Sequence, residues 1–391
     1  MFEGRSRVTR HVFLGLLGGL AVVVLCICPA VGRSDASLAF DVRIELLRRL
    51  GAIPSFSACI VKGEDIVWRG AWGWADVYHS IPATAETQYM IGSVSKMFTA
   101  VAILQLAEQG RFALDDDVSP HLPFELRNPA FPDEPITFRM LLSHQASLAS
   151  ENGHFFETFC FRPYDMAELG AFLAPTGAGF RPTYWLDIKP SKRMGYANIG
   201  YELLAYLVER VSGRPFADYV DAEILDPLGM TGTTYSADRT TEPAMGYVAA
   251  LGIPIPLGHY EIGSLGAGGL RATMVDLGRF AAALMNGGAC AGTRILQAET
   301  VVEMQTIQAI DPAGLFDYGL GWAAFPGGEF GGHGGGAFGC GTMLRVRLSD
   351  RTAVIYSYNR LNPALPPAVS PFLNYAVGRL ETALWELADR L

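Results

Sequence analysis

The chain has 391 residues, half of them hydrophobic, with 30 basic against 39 acidic side chains. That is enough apolar material for one large domain, or two closely joined ones, with a substantial core. The acidic balance, without a like-charged block, a basic stripe, an internal repeat or a low-complexity tract, leaves nucleic-acid binding without support.

Arg5, Arg7 and Arg10 precede a nearly unbroken apolar run from Val12 to Cys28, and Ala30-Val31-Gly32 offers the small residues that a signal peptidase reads. Residues 1–32 are therefore expected to be a cleaved signal peptide or an uncleaved membrane anchor, the run lying between the lengths typical of each. In both cases the remainder, 33–391, is expected to be exported to the periplasm or the extracellular space. Any membrane association would run through the N-terminal segment. Cys26 and Cys28 belong to that segment. Cys59, Cys160, Cys290 and Cys340 are scattered without metal-ligand spacing and read as buried free thiols.

Asp41 to Leu50 reads as a short amphipathic helix. Phe56–Val61 and Ile66–Trp72 are β-rich runs around Lys62-Gly63-Glu64-Asp65, a hairpin signal. Ser93 and Lys96 then stand three apart where a glycine-led turn enters the apolar segment Met97–Leu106. If Ser93 opens a helix, this spacing puts the amine on the hydroxyl's face, one turn on. A serine hydroxyl needs such help, being a weak nucleophile at neutral pH. A segment apolar on every side is a central, buried helix, and Gly110 supplies its stop. Leu114 to Val118 lacks the EF-hand pattern and reads as a solvated acidic turn, so no metal site is expected.

Thr137 caps a short helix running to His144, a histidine that reads as structural at a helix end, with a catalytic role as the alternative. From about 151 to 192 the chain is loop-rich, with Phe155, Phe156, Phe159, Phe161, Tyr164 and Trp185 as pocket-lining or packing residues. Tyr196-Ala197-Asn198 leads into the helix Ile199–Val211, for which Asn198 is well placed as N-cap. If the segment is extended, Tyr196 and Asn198 point the same way. A tyrosine beside Lys96 would take the Ser93 proton and return it to a leaving group. Thr273-Met274-Val275-Asp276 resembles a capping box before a helix ending at Gly287-Gly288. His333-Gly334-Gly335-Gly336 precedes the hairpin of Thr342–Leu348 and Thr352–Tyr358. Its glycines suit close approach of a substrate to a strand edge, or else a flexible loop. A last helix is expected from about Phe372 to Leu391. Strands at both ends with helices between imply an α+β architecture: one antiparallel sheet closed by both termini. The sheet part is expected over about 41–90 and 261–391, and a mainly helical part over about 91–260.

Ser93-x-x-Lys96, Tyr196-x-Asn198 and His333-x-Gly335, in this order, resemble the three motifs of class C β-lactamases and their relatives. Those relatives include D-alanyl-D-alanine carboxypeptidases, D-aminopeptidases and lipase-like esterases. Ile91 to Lys96, Ile136 to His144, Asp226-Pro227-Leu228-Gly229-Met230 and Gly266-Ala267-Gly268-Gly269-Leu270 match family phrases too, over roughly residues 41–390. The resemblance implies a β-lactamase/transpeptidase-like fold with the site between its two parts. It also implies a serine hydrolase of esters or amides, acting on a small-molecule or peptide substrate without metal or organic cofactor. In that reading Ser93 is acylated, Lys96 and Tyr196 move the proton, Asn198 binds an amide or the lysine, and the N–H groups of Ser93 and Gly336 hold the oxyanion. Gly-x-Ser-x-Gly is absent, which argues against an α/β-hydrolase.

Two departures stand out. The stretch Trp185 to Met194 lacks the proline-glycine phrase of relatives, and His333 replaces their usual lysine. A histidine with a pKa of about 6.5 is mostly neutral at working pH and is expected to offer the substrate a hydrogen bond in place of a charge. Uncharged short-chain esters or amino-terminal peptide substrates are therefore expected over penicillins and cephalosporins, unless His333 only orients its strand and an arginine supplies the charge. The alternatives are a β-lactamase or D-alanyl-D-alanine carboxypeptidase and, from another class, an acylated sensor or binder that does not turn over.

Overall fold

The structure, a computed structural model, describes residues 35–149, 168–250, 253–360 and 371–391. The expected leader (1–32), Cys160 and the aromatics from Phe155 to Tyr164 lie outside the described residues. Among the described residues no helix is long and apolar enough to cross a membrane.

The first helix, α1 (Asp35–Leu50), begins six residues before the expected Asp41. Its early turns are held from outside the helix: Phe40 meets Trp68 edge-on at 5.6 Å between ring centroids, and Trp72 lies beyond it. Then β1 (Ser55–Lys62) and β2 (Asp65–Asp76) form the expected hairpin, which turns at Gly63 with φ +58°. All of β1 except its last residue is buried, whereas β2 alternates between more and less exposed positions along its first half. A continuous apolar run belongs to a strand covered on both faces, and an alternating one to a strand near a sheet edge.

The eight-stranded sheet is completed by β3 (Ile81–Pro82) and by β4 (Asp317–Tyr318), β5 (Ala323–Ala324), β6 (Phe330–Ala337), β7 (Cys340–Arg347) and β8 (Thr352–Tyr358). Its order is β4-β5-β6-β7-β8-β1-β2-β3, antiparallel throughout. Both ends of the chain meet where β1 pairs with β8, Phe56 opposite Tyr358. The glycine-rich stretch around His333 is thus strand β6, inside the sheet, and not a loop.

One face of the sheet is covered by α1 and the final helix, α7 (Pro371–Ala388), around Ile44, Phe56, Tyr356 and Leu380. The other face carries the larger core, built on α2 (Ser95–Glu108), whose residues are buried without a break from Ser95 to Leu106. Phe98 of α2 stacks on Phe280 at 4.0 Å, and Gly110 stops the chain with φ +70°. Burying a large apolar side chain completely contributes about 1.5–3 kcal/mol. A helix so enclosed is a rigid mount for whatever stands at its first turn.

Against α2 pack α4 (Asn198–Ser212) and α5 (Leu265–Gly268), while α3 (Phe138–Leu142) packs on α4 and α6 (Met274–Met285) lies on the sheet. Thr137 caps α3 as expected, accepting from the Met140 amide at 3.2 Å, and α4 ends at Gly213 with φ +74°. Thr273 caps α6, accepting from the Asp276 amide at 3.1 Å. The reciprocal half of that capping box is not made. The Asp276 carboxylate turns instead to the Gly232 amide, the Thr233 hydroxyl and Arg279. Of the four cysteines beyond residue 32, Cys59, Cys290 and Cys340 are buried free thiols, as read from the sequence.

Candidate active site

A 3-10 turn over Gly92–Val94 leads directly into α2, so Ser93 stands at the mouth of the buried helix. Gly92 adopts φ +53°, and a β-carbon there would collide with the peptide of Gly336. A β-carbon on Gly335 would lie 1.9 Å from the Ile91 carbonyl oxygen. These glycines are required by the close approach of turn and strand. Strand β5 pairs only with Gly331 and Gly332 of β6. Beyond them, that edge of β6 faces the Ser93 turn.

The serine–lysine expectation holds geometrically: Lys96 Nζ donates to Ser93 Oγ at 3.0 Å. Two further oxygens take N–H groups from the fully buried amine, the Ala267 carbonyl at 2.8 Å and Asn198 Oδ1 at 2.5 Å. Asn198 is therefore not the N-cap of α4. The cap is Ala197, without a side-chain bond, and Asn198 begins the helix with its amide turned to the lysine. Ala197 is extended (φ −142°, ψ 117°), which leaves Tyr196 on the same side as Asn198. The Tyr196 ring lies 5.1 Å from Lys96 Nζ. Ser95, the neighbouring hydroxyl, is fully buried and accepts from the Leu270 amide, out of reach of a substrate.

Glu202 escaped the sequence reading, and Ala267 entered it only within a family phrase, without a role at the site. Glu202 lies one turn beyond Asn198 on α4, fully buried, and its Oε1 accepts from Ser264 Oγ at 2.7 Å and from the Ala267 amide at 2.8 Å. One helix therefore contacts the lysine directly and also holds the segment whose carbonyl contacts it. A lone glutamate in the apolar run Ile199–Val208 was the available signal. Gly266 lets α5 lie on α4, since a β-carbon there would stand 2.3 Å from the Tyr201 carbonyl.

His333 sits on the buried face of β6 with Gly335, whereas Gly336, next along the strand, is exposed at the pocket. Its Nδ1 lies 2.6 Å from the Gly334 carbonyl, which can only accept, so Nδ1 carries the proton. Nε2 then accepts from the Tyr318 hydroxyl at 2.8 Å. Burial, with the charge of Lys96 second, pushes the imidazole pKa down to about 3, partly opposed by the Gly334 bond. The expectation of neutrality agrees with this environment. The expectation of a hydrogen bond from His333 to substrate does not, because both nitrogens are engaged inside the protein.

The pocket in front of Ser93 is small, about 40 Å³. Its polar side chains are Ser93, Asn198 and Ser264, and Ile262 and Phe338 are its large apolar ones. Among the described residues, no ionisable side chain lines it. The buried Arg271 beside this wall donates to the Tyr260 carbonyl and is not part of the lining.

The family model described as Beta-lactamase matches residues 44–374. Penicillin-binding protein 4* of Bacillus subtilis (strain 168) is 28% identical over 337 residues, 81% of this chain and 70% of that one. Further curated relatives are longer, this chain spanning 63% of one and 42% of another. Among solved structures, the octameric penicillin-binding protein homologue from Pyrococcus abyssi superposes with a TM-score of 0.70 at 26% identity, covering 89% of this chain and 78% of that one. A D-stereospecific amidohydrolase from Streptomyces sp. superposes at 0.65 with 25% identity, covering 81% and 93%.

Proposed function

The chain belongs to the Beta-lactamase family, and from that premise we propose that it hydrolyses small uncharged esters through an acyl-enzyme at Ser93. Serine hydrolysis of an ester or amide follows from the family and its neighbours; the residue roles and the substrate are our reading. The observation that carries it is the setting of Lys96 Nζ. Among its oxygen contacts, the Ala267 carbonyl and the Asn198 amide oxygen can only accept. Both therefore hold N–H protons in either state of the amine. The amine also meets Ser93 Oγ at 3.0 Å, a hydroxyl with which a proton can change hands.

In the acylation step the Ser93 hydroxyl proton passes to the Lys96–Tyr196 pair as Oγ bonds to the substrate carbonyl carbon. The oxyanion is held by the Ser93 and Gly336 N–H groups. Collapse breaks the bond to the alcohol, which leaves with the proton returned by the pair. Water, activated by the same groups, then frees the acid.

A neutral substrate is supported by what the pocket lacks. A β-lactam or a D-alanyl terminus carries a carboxylate and an amino-terminal substrate an ammonium, and the described lining offers no counter-charge to either. The missing charge-assisted contact disfavours anionic substrates by about ten- to a hundredfold. Export rests on the composition of residues 5–32 and is part of the same proposal.

The test compares kcat/KM for a neutral p-nitrophenyl ester and for a cephalosporin in wild type and Ser93→Ala. The ester should be favoured, and Ser93→Ala should be inactive and resist acylating probes. Wild type that prefers the cephalosporin would sink the substrate assignment. A permanent adduct at Ser93 without release would make the protein a binder.

A further inference from the structure

His144 belongs to none of the three motifs, yet it grips the second of them from both sides. It follows the end of α3 in the left-handed region, φ +58°, where few residues other than glycine settle. Its carbonyl accepts from the Gly195 amide at 2.8 Å. Its Nδ1 accepts from the Ala197 amide at 3.2 Å. Between those two amides stands Tyr196, whose ring lies 4.2 Å from the imidazole at a 38° tilt. The Tyr201 and Tyr318 rings enclose the same imidazole at 5.0 and 4.7 Å.

With Nδ1 accepting, the ring proton sits on Nε2, a buried atom without a hydrogen-bond partner. Burial first, then the charge of Lys96, holds the imidazole neutral, well below its usual pKa. Its one lone pair is committed to a main-chain amide, so the ring has no free position to accept a substrate proton. A histidine that merely closed a helix would need neither the second amide nor the phenol contact.

We propose that His144 is a positioning residue: it pins the amides on either side of Tyr196 and seats the phenol, fixing Tyr196 and Asn198 against Lys96. The proposal rests on the catalytic reading of those two residues given above. Displacing a reacting group by about 1 Å can cost on the order of a hundredfold in rate. The loss should therefore fall on kcat.

Two substitutions separate the parts of the clamp. His144→Phe keeps a ring and removes the acceptor. His144→Asn keeps an acceptor, suits a left-handed turn and removes the ring. Hydrogen exchange at Ala197 and steady-state kinetics on the p-nitrophenyl ester are read together with thermal unfolding. His144→Phe should expose the Ala197 amide to exchange and lower kcat by about ten- to a hundredfold, with KM within about threefold. His144→Asn should keep the amide protected and hold kcat within about tenfold of wild type. Wild-type kcat or an unchanged Ala197 amide in His144→Phe would overturn the proposal. So would an ionisation in the wild-type pH–rate profile that vanishes in both variants, since that marks an acid or base. Should His144→Phe not fold, His144→Asn still decides, because loss of Ala197 protection there contradicts the clamp. Tyr196→Phe at full activity faults the catalytic reading alone, and the exchange result stands apart from it.

Discussion

Lys96 and His333 are both buried bases of the expected motifs, and their surroundings differ in kind. Around Lys96, the Ala267 carbonyl and the Asn198 amide oxygen each take an N–H, and the amine also meets a serine hydroxyl that rotates and can lose its proton. Around His333, a carbonyl takes the one proton and a tyrosine hydroxyl fills the one lone pair. A buried base is chemically available only where a partner is free to change. By that criterion the α2–α4 corner is built to move protons, and strand β6 is built to stay fixed.

The contrast can be broken from either side. Lys96→Met keeps the bulk and removes the amine, and kcat/KM for the neutral ester should fall by about a thousandfold or more, measured beside probe labelling of Ser93. Retained activity would mean that the lysine only packs. Tyr196→Phe should cost about a hundredfold in kcat. A near-normal rate would leave Lys96 as the only base and narrow the mobile corner to two residues.

From the fixed side the readout is stability. The folded-state pKa of His333, about 3, lies below the unfolded value, so acid drives protonation of the unfolded chain. Its contribution is complete above about pH 6.5 and is lost on falling toward pH 3, with a slope of up to about 1.4 kcal/mol per pH unit. His144 acts in the same direction. Midpoints of urea unfolding between these limits should fall less steeply with acid in His333→Gln than in wild type. An identical slope would show that the imidazole already carries its proton in the folded protein. The smallest effect sharpens the comparison by standing outside it. Thr273→Ala removes the α6 cap and should cost about 1 kcal/mol in unfolding free energy while leaving kcat unchanged.

What could be read from the residues alone was whatever depends on short separations. The hairpin at Gly63, the buried helix after Ser93, the caps at Thr137 and Thr273 and the Ser93–Lys96 pairing all lie within a few residues of their cause. Asn198 shows where this stops: the same residue type at the same place serves equally as a helix cap or as a ligand of a lysine, and only the packing of α4 on α2 decides between them. His333 is the same lesson in reverse, since strand parity set by pairing with β7 turns its ring away from the pocket. Glu202 and His144 act through partners that no local pattern joins.

The pairing of β1 with β8 carries a consequence for the order of events in synthesis. Ser93, the proposed nucleophile, and its lysine emerge early, but the β6 edge proposed to complete the oxyanion site and the β8 strand that closes β1 emerge near the end. Topologies dominated by such distant pairings fold slowly, because the chain must close a very long loop before any contact rewards it. A nascent chain therefore carries Ser93 for most of its synthesis without a working site.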